Sequence, residues 1–338
     1  MKIIIAGVGS VTDSMCRSVK QKKWFNIAAV IDSDFNQLLK FKNKYKLNDN
    51  QLFTNYEHVI KCVKADAIWI NTPSQFHYSQ IKFALNNVKH ILVAKPFVNN
   101  YEQAKEIVNI SKDIGATITV GQQMRYQKHF KELQSLINTD ILGEIEYISF
   151  HNSKNRNKLF NLKNFDHPVL FEMSCHHFDN LYSLFNDLKP EYVYCQTFKP
   201  SWSIYKGDCM VNALIKFNNN IHLNYHAGYS SQSSNYTMRF EGSKGVLKYN
   251  GIHMSKNIGK YSFAKNGSKF ENIPTKQFKH KNSPWSDFLV KWFEYTNNYI
   301  DQPFTGKNNI KILKLINACV QSTSLNLPII FNHNSNEL

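Results

Sequence analysis

Lys95 closes an apolar run, HILVAKPF from His90 to Phe97, and is followed directly by a proline. A strand that carries a lysine out of its end presents an ammonium to whatever binds there. Pro96 has no N–H and disfavours helix at the residue before it, so it fixes where the chain leaves the sheet. For an isolated lysine the plainer reading is a solvated strand terminus, because lysine is mostly exposed. A second group with chemistry lies in LFEMSCHHFDNLYSLF. Read as one amphipathic helix, it places Phe171, Phe178, Leu181, Tyr182 and Phe185 on one side and Glu172, His176 and Asp179 along the opposite stripe. A carboxylate one turn from a histidine orients the imidazole and raises its basicity, which suits general acid–base work. His177 falls about 100° further round and is expected outside that site. The plainer reading of the triad is a solvated polar face. A metal site is disfavoured, because the consecutive residues Cys175, His176 and His177 cannot converge from one helix.

The third group is a cofactor turn. The apolar run Ile3 to Ala6 leads into GVGSVT, a helix to about Lys23 follows, and IAAVID forms a second strand ending at Asp32. Strand, glycine turn, helix, strand and acidic residue is the order expected of a dinucleotide-binding unit. Gly7 permits the tight turn, Gly9 lets a pyrophosphate approach the backbone, and Ser10 and Val11 open the helix whose N–H groups would receive it. Thr12 replaces the third glycine, which predicts a slightly looser helix-on-strand fit. Asp32 would accept hydrogen bonds from the adenosine ribose and repel a 2′-phosphate, and Ser33, Asp34 and Phe35 supply no arginine, so NAD is favoured over NADP.

These groups need a sheet to hold them. Residues 35 to 46 read as a helix, and ADAIWIN ending at Asn71 is a buried strand running into Thr72, Pro73 and a helix from about Phe76. That turn places its backbone and His77 near the cofactor crevice, although His77 reads equally well as an ordinary first-turn histidine. The strand carrying Ala94 and Lys95, a helix ending near Gly115 and the strand ATITV complete the alternation. It implies a doubly wound parallel sheet, an N-terminal Rossmann domain over 1–121. From Gly121 the texture changes. GQQMRYQKHFKELQSLI reads as one long helix, and beyond Asn186 alternating runs such as CMVNALIKF and IHLNYHAGY predict a mixed or antiparallel sheet. Helices follow at about 285–299 and 308–322. The C-terminal region 122–338 is expected to be an α/β domain with a large open, mostly antiparallel sheet.

Composition narrows the partners. A length of 338 residues suits two domains of about 100 to 200 residues each. No apolar run approaches the roughly 20 residues of a membrane span, so a soluble chain with no membrane partner is expected. The start MKIIIAGVG closes on glycines rather than on a cleavage site and reads as a strand. Six scattered cysteines without a CxxC pair argue against a disulfide framework or zinc and for a reduced cytoplasm. A net charge of +16 would suit nucleic acid, but the lysines are spread among Asn, Ile, Phe and Tyr without a dense block, so no nucleic-acid partner is expected. The same field suits a phosphorylated or nucleotide-linked substrate.

In combination, GVGSVT, Asp32, TPSQFH, the AKP tripeptide, GQQMRY, the Glu172, His176 and Asp179 spacing, MRFEGSKGVLKYNG and the closing FTGKNNIKILKLINACVQSTSLNLPI resemble the Gfo/Idh/MocA oxidoreductases, the glucose–fructose oxidoreductase and inositol dehydrogenase family. Each motif is weak singly, but their order and spacing are specific and cover nearly the whole chain. The resemblance implies a Rossmann domain followed by an α/β substrate and oligomerisation domain whose open sheet forms homodimers or homotetramers. It implies hydride transfer between NAD and a secondary alcohol of a sugar, sugar nucleotide or cyclitol. The lysine of the family's Glu-Lys-Pro falls on Lys95, its aspartate on Glu172 and its histidine on His176, giving these three catalytic roles. Arg125 and Tyr126, with Asp179, would line the substrate. Ala94 replaces the glutamate before the lysine, Glu172 is one methylene longer than the usual aspartate, and Lys128 stands where a proline commonly follows the Arg-aromatic pair. The first two departures motivate an alternative, a catalytically silent NAD or sugar sensor on the same fold.

Overall fold

The computed structural model describes residues 1–156, 165–185, 187–254, 259–265, 267–274, 282–298 and 304–332. The chain divides into two compact units, one of 1–126 with the described residues of 281–313, the other of 127–280 with 314–338.

The first unit alternates strands and helices: β1 (Lys2–Ala6), α1 (Ser10–Val19), β2 (Asn26–Ile31), α2 (Phe35–Tyr45), β3 (Leu52–Phe53), α3 (Tyr56–Cys62), β4 (Ala67–Ile70), α4 (His77–Leu85), β5 (His90–Val93), α5 (Tyr101–Asp113) and β6 (Thr117–Val120). The strands pair in parallel in the order β3-β2-β1-β4-β5-β6. AIWI of β4 and HILV of β5 are buried throughout, as strands covered on both faces must be. The strand order reverses between β1 and β4, and ligands of such sheets bind at the carboxyl ends beside that reversal. The short β3 and α3 had no signal in the alternating pattern.

The second unit contains α6 (Lys128–Ile137), β7 (Ile145–Asn155), a π-helical turn (Leu170–Ser174), α7 (Cys175–Leu184), β8 (Pro190–Phe198), β9 (Met210–Phe217), β10 (His222–Gly228), β11 (Ser230–Gly242), β12 (Gly245–Gly251), β13 (Gly259–Ala264) and β14 (Glu271–Asn272). Next come α8 (Pro284–Thr296), α9 (Gly306–Leu325) and β15 (Ile329–Ile330). Among the described residues the sheet runs β14-β13-β12-β11-β7-β10-β9-β8-β15, antiparallel except where β7 meets β10. The fold is therefore the expected Rossmann-like parallel sheet followed by a large, mostly antiparallel one.

Two expectations need correction. The run from Gly121 is not one helix: Gln123–Tyr126 is a separate 3-10 turn before α6. The second half of the chain also returns to the first unit, because α8 places Phe288, Leu289 and Trp292 at helical spacing against Ile3, Ile5, Trp69 and Leu92. Its start is fixed by Pro284 in the first turn and by Ser283, whose hydroxyl accepts from Ser286 N at 3.2 Å.

Candidate functional site

In the first unit the turn residues Gly7 and Gly9 do different work. Gly7 has φ +84°, and a Cβ there would sit 2.7 Å from the carbonyl oxygen of Asn71, so glycine is required by the close approach of the end of β4. A Cβ on Gly9 would meet nothing within 4 Å. Gly9, Ser10, Val11 and Pro73 are exposed together at the carboxyl ends of β1 and β4, which leaves the N-terminus of α1 open to an anion. Asp32 receives Val8 N on Oδ2 at 2.9 Å and Asp34 N on Oδ1 at 3.0 Å. The carboxylate latches the glycine turn to the end of β2 and keeps further lone pairs for a ribose.

Thr12 does not loosen the turn. It is fully buried, its hydroxyl donates to Gly7 O, and it accepts from Asn71 Nδ2 at 3.0 Å. A hydroxyl bridge between α1 and β4 thus replaces the close contact a glycine would have made. Asn71 Oδ1 and Ser74 Oγ are buried with no hydrogen-bond partner among the described residues, a cost that a bound ligand would offset. The open Gly9, the Asp32 carboxylate and these two unsatisfied oxygens fit a dinucleotide.

His77 is almost fully buried. Its Nδ1 lies 2.9 Å from Pro96 O and 3.1 Å from Phe97 O, and its Nε2 lies 2.8 Å from Thr72 O. Between the alternatives of crevice residue and first-turn histidine, the ring pins the turn of Thr72 and Pro73 to the segment after Lys95. Ala94 is held by its N–H to Ile70 O at 2.8 Å, and Ala94 and Lys95 are half-buried just beyond β5. Arg125 is buried in the 3-10 turn, and the Tyr126 ring packs edge-on against Phe288 and Phe304, each at 6.3 Å.

In the second unit Glu172, His176 and Asp179 are carried by consecutive turns, but not of one uniform helix. Leu170–Ser174 is π-helical, and Cys175–Leu184 continues as α-helix. The solvated polar face, the plainer alternative for this group, is absent from α7: Cys175 through Tyr182 are all buried, His176 at 3% exposure and Asp179 at 1%, with Glu172 half-buried at the wider turn. Burying ionisable groups at this density is costly unless they are paired or used.

His177 lies outside this group. Its Nε2 is 2.8 Å from Asn152 Nδ2 and its Nδ1 is 2.7 Å from Tyr225 Oη. Burial, helped by Lys154, holds its pKa well below the usual histidine range. Sequence reasoning missed Tyr229. Its hydroxyl is buried with no partner among the described residues, the Arg156 guanidinium stands 4.9 Å over its ring, and burial pushes the phenol up, with Glu172 adding to the effect. The run IHLNYHAGY predicted a strand, but its alternation singled out none of its residues. Among the described residues no group of three His, Cys, Asp or Glu side chains could hold a metal ion, and no helix is long and apolar enough to cross a membrane.

Residues 1–122 match the model of an oxidoreductase family's NAD-binding Rossmann fold, and 134–329 match that of an oxidoreductase family's C-terminal alpha/beta domain. The scyllo-inositol 2-dehydrogenase (NADP(+)) IolU of Bacillus subtilis strain 168 is 25% identical over 134 residues, 40% of this chain and 40% of its own length. That match therefore spans less than half of the relative. The solved aldose-aldose oxidoreductase of Caulobacter crescentus, complexed with glycerol, has a TM-score of 0.84 at 16% identity, covering 98% of this chain and 99% of that one. The WlbA dehydrogenase of Bordetella pertussis, in complex with NADH and UDP-GlcNAcA, has a TM-score of 0.83 at 14% identity, covering 99% of each. At these identities the two structures establish the fold.

Proposed function

The chain belongs to the Gfo/Idh/MocA oxidoreductase family, and from that premise we propose that it transfers a hydride between NAD and a secondary alcohol of a sugar, sugar nucleotide or cyclitol. The observation that carries this reading is the buried pair His176 and Asp179 in α7, with Glu172 one turn before His176. A histidine kept out of water beside carboxylates suits proton exchange with a substrate hydroxyl. The names of the relatives, a cyclitol dehydrogenase, an aldose oxidoreductase and a dehydrogenase holding a UDP-linked ligand, support the substrate class.

Bound NAD supplies the hydride-accepting nicotinamide. Gly7, Gly9, Ser10 and Val11 would receive its phosphates, Asp32 its adenosine ribose, and Asn71, Thr72, Pro73 and Ala94 would line its nicotinamide half, with His77 acting on the cofactor site by holding their turn in place. The Asp32 carboxylate favours NAD over NADP by repelling a 2′-phosphate. His176 takes the proton of the substrate hydroxyl, and Glu172 holds the imidazole in orientation. Lys95 donates a hydrogen bond to the same oxygen and stabilises the alkoxide charge that develops there. Arg125, Tyr126 and Asp179 contact the rest of the substrate. The outward face of the large sheet carries Tyr147, Phe198 and Leu214 exposed and would seat a second copy of the chain, in the cytoplasm.

The test is reduced-nicotinamide absorbance from purified protein with NAD and a panel of UDP-sugars, free sugars and inositols. Activity on at least one is expected, and H176A should lower it by about two to four orders of magnitude while NAD still binds. Undiminished turnover in H176A removes His176 from the mechanism. Silence across the panel with tight NAD binding favours the sensor.

A further inference from the structure

Ser174, Tyr225, His177 and Asn152 form a continuous buried chain whose sense can be read from one end. The Val169 carbonyl only accepts, so the Ser174 hydroxyl, 3.2 Å away, donates to it. Ser174 Oγ then accepts from Tyr225 O–H at 2.6 Å, and Tyr225 Oη in turn accepts from His177 Nδ1–H at 2.7 Å. A neutral imidazole has one N–H, so Nε2 becomes an acceptor, and Asn152 Nδ2 donates to it at 2.8 Å. Phe150 stands 4.5 Å from the imidazole centroid, and His177 is fully buried.

The chain ends on the π-helical turn Leu170–Ser174, with Ser174 bound to the carbonyl five residues back. Such turns are rare, occur mostly as single turns inside α-helices, and are frequent at functional sites. In an uninterrupted α-helix residues 172 and 176 stand about 40° apart around the axis. The wider turn changes that angle, so relaxing it would move the Glu172 carboxylate relative to His176.

We propose that His177 is a positioning residue for the reaction: with its proton on Nδ1 it anchors, through Tyr225 and Ser174, the π turn that carries Glu172. This rests on the roles proposed above for Glu172 and His176. It makes the Nδ1 side of the ring the working side, because only that side leads to the turn.

Three measurements test it. Ring 15N NMR of the wild-type protein should show His177 protonated on Nδ1 and bare on Nε2, and the opposite tautomer overturns the proposal. In H177N the amide group replaces Nδ1, whereas in H177Q it replaces Nε2. Amide hydrogen exchange at 171–176 should stay within about threefold of wild type in H177N and rise by about tenfold in H177Q and Y225F. On any substrate the panel yields, kcat should follow the same order, with KM for NAD unchanged. Equal loss in H177N and H177Q, in exchange or in kcat, marks a packing role only and overturns the proposal. Should the variants fail to fold, the wild-type tautomer decides. Undiminished turnover in H176A sinks the functional reading separately, since the tautomer and exchange results do not depend on activity.

Discussion

Replacing each glycine of the N-terminal turn with alanine separates fold from ligand binding, the two roles the glycine pattern assigns to Gly7 and Gly9. At Gly7 an alanine must adopt φ +84°, which costs about 1–2 kcal/mol for an L-residue. Its Cβ would also stand 2.7 Å from Asn71 O and 2.9 Å from Thr72 N. These are backbone atoms, tied to β1 by Asn71 N to Ala6 O at 2.7 Å, so relieving the clash costs about 1–3 kcal/mol more. The stiffer unfolded chain returns about 0.4–1 kcal/mol. The net loss is roughly 2–4 kcal/mol, a fall in melting temperature of about 5–15 °C for a unit of this size. At Gly9 the φ of −73° suits alanine and the Cβ meets nothing, so G9A should melt within about 2 °C of wild type. Its methyl would project where the pyrophosphate approaches, and NAD affinity should fall about tenfold, equivalent to 1.4 kcal/mol. Scanning calorimetry gives the first quantity and isothermal titration with NAD the second. Wild-type NAD affinity in G9A would refute the placement of the phosphates, and wild-type melting in G7A would refute the contact with the end of β4.

Thr12→Val keeps the shape but removes the bridge from Gly7 O to Asn71 Nδ2, so urea unfolding should show a loss of about 1–3 kcal/mol, with T12S close to wild type. D32A removes the acceptor for Val8 N and the charge proposed to face the ribose; NAD affinity should fall and the NAD-to-NADP affinity ratio should move toward one, a shift read by titrating both cofactors. Acid should weaken the fold partly through His177. The folded ring stays neutral while the unfolded one gains a proton below about pH 6.5, so stability is intact above that pH and is lost as pH falls toward the depressed folded value. Urea melts at pH 7 and pH 5 should therefore differ by less in H177N than in wild type, and an equal difference would show that His177 is not the group responsible.

The parallel sheet was legible because its strands are continuous apolar runs, IIIA, AIWI and HILV, between helices with caps and periodic faces. What escaped was local or long-range. β3 is two residues long and α3 seven, too short for a period to accumulate. The return of α8 to the first unit depends on Trp292 and Phe288 finding Trp69 and Leu92, more than 190 positions away, and no window along the chain contains that pairing.

The site was legible as residue types and less so as geometry. The spacing of Glu172, His176 and Asp179 pointed to a helix, and one forms there, but a period of 3.6 assumes that every turn is the same. A π turn breaks that assumption at Glu172, one turn before the histidine it is proposed to orient. What we propose to anchor the turn reaches beyond the helix. It is a tyrosine on β10 and an asparagine on β7, joined through a histidine that the helical wheel places off the site. Thr12 carries the same lesson: missing from its place in a glycine pattern, it predicts a loose fit, whereas its hydroxyl binds Asn71 across 59 positions. In both places side chains from neighbouring strands complete a local motif. The departures at Ala94 and Glu172 therefore have to be judged by what the rest of the chain supplies around them, and for Glu172 that supply is the His177 chain.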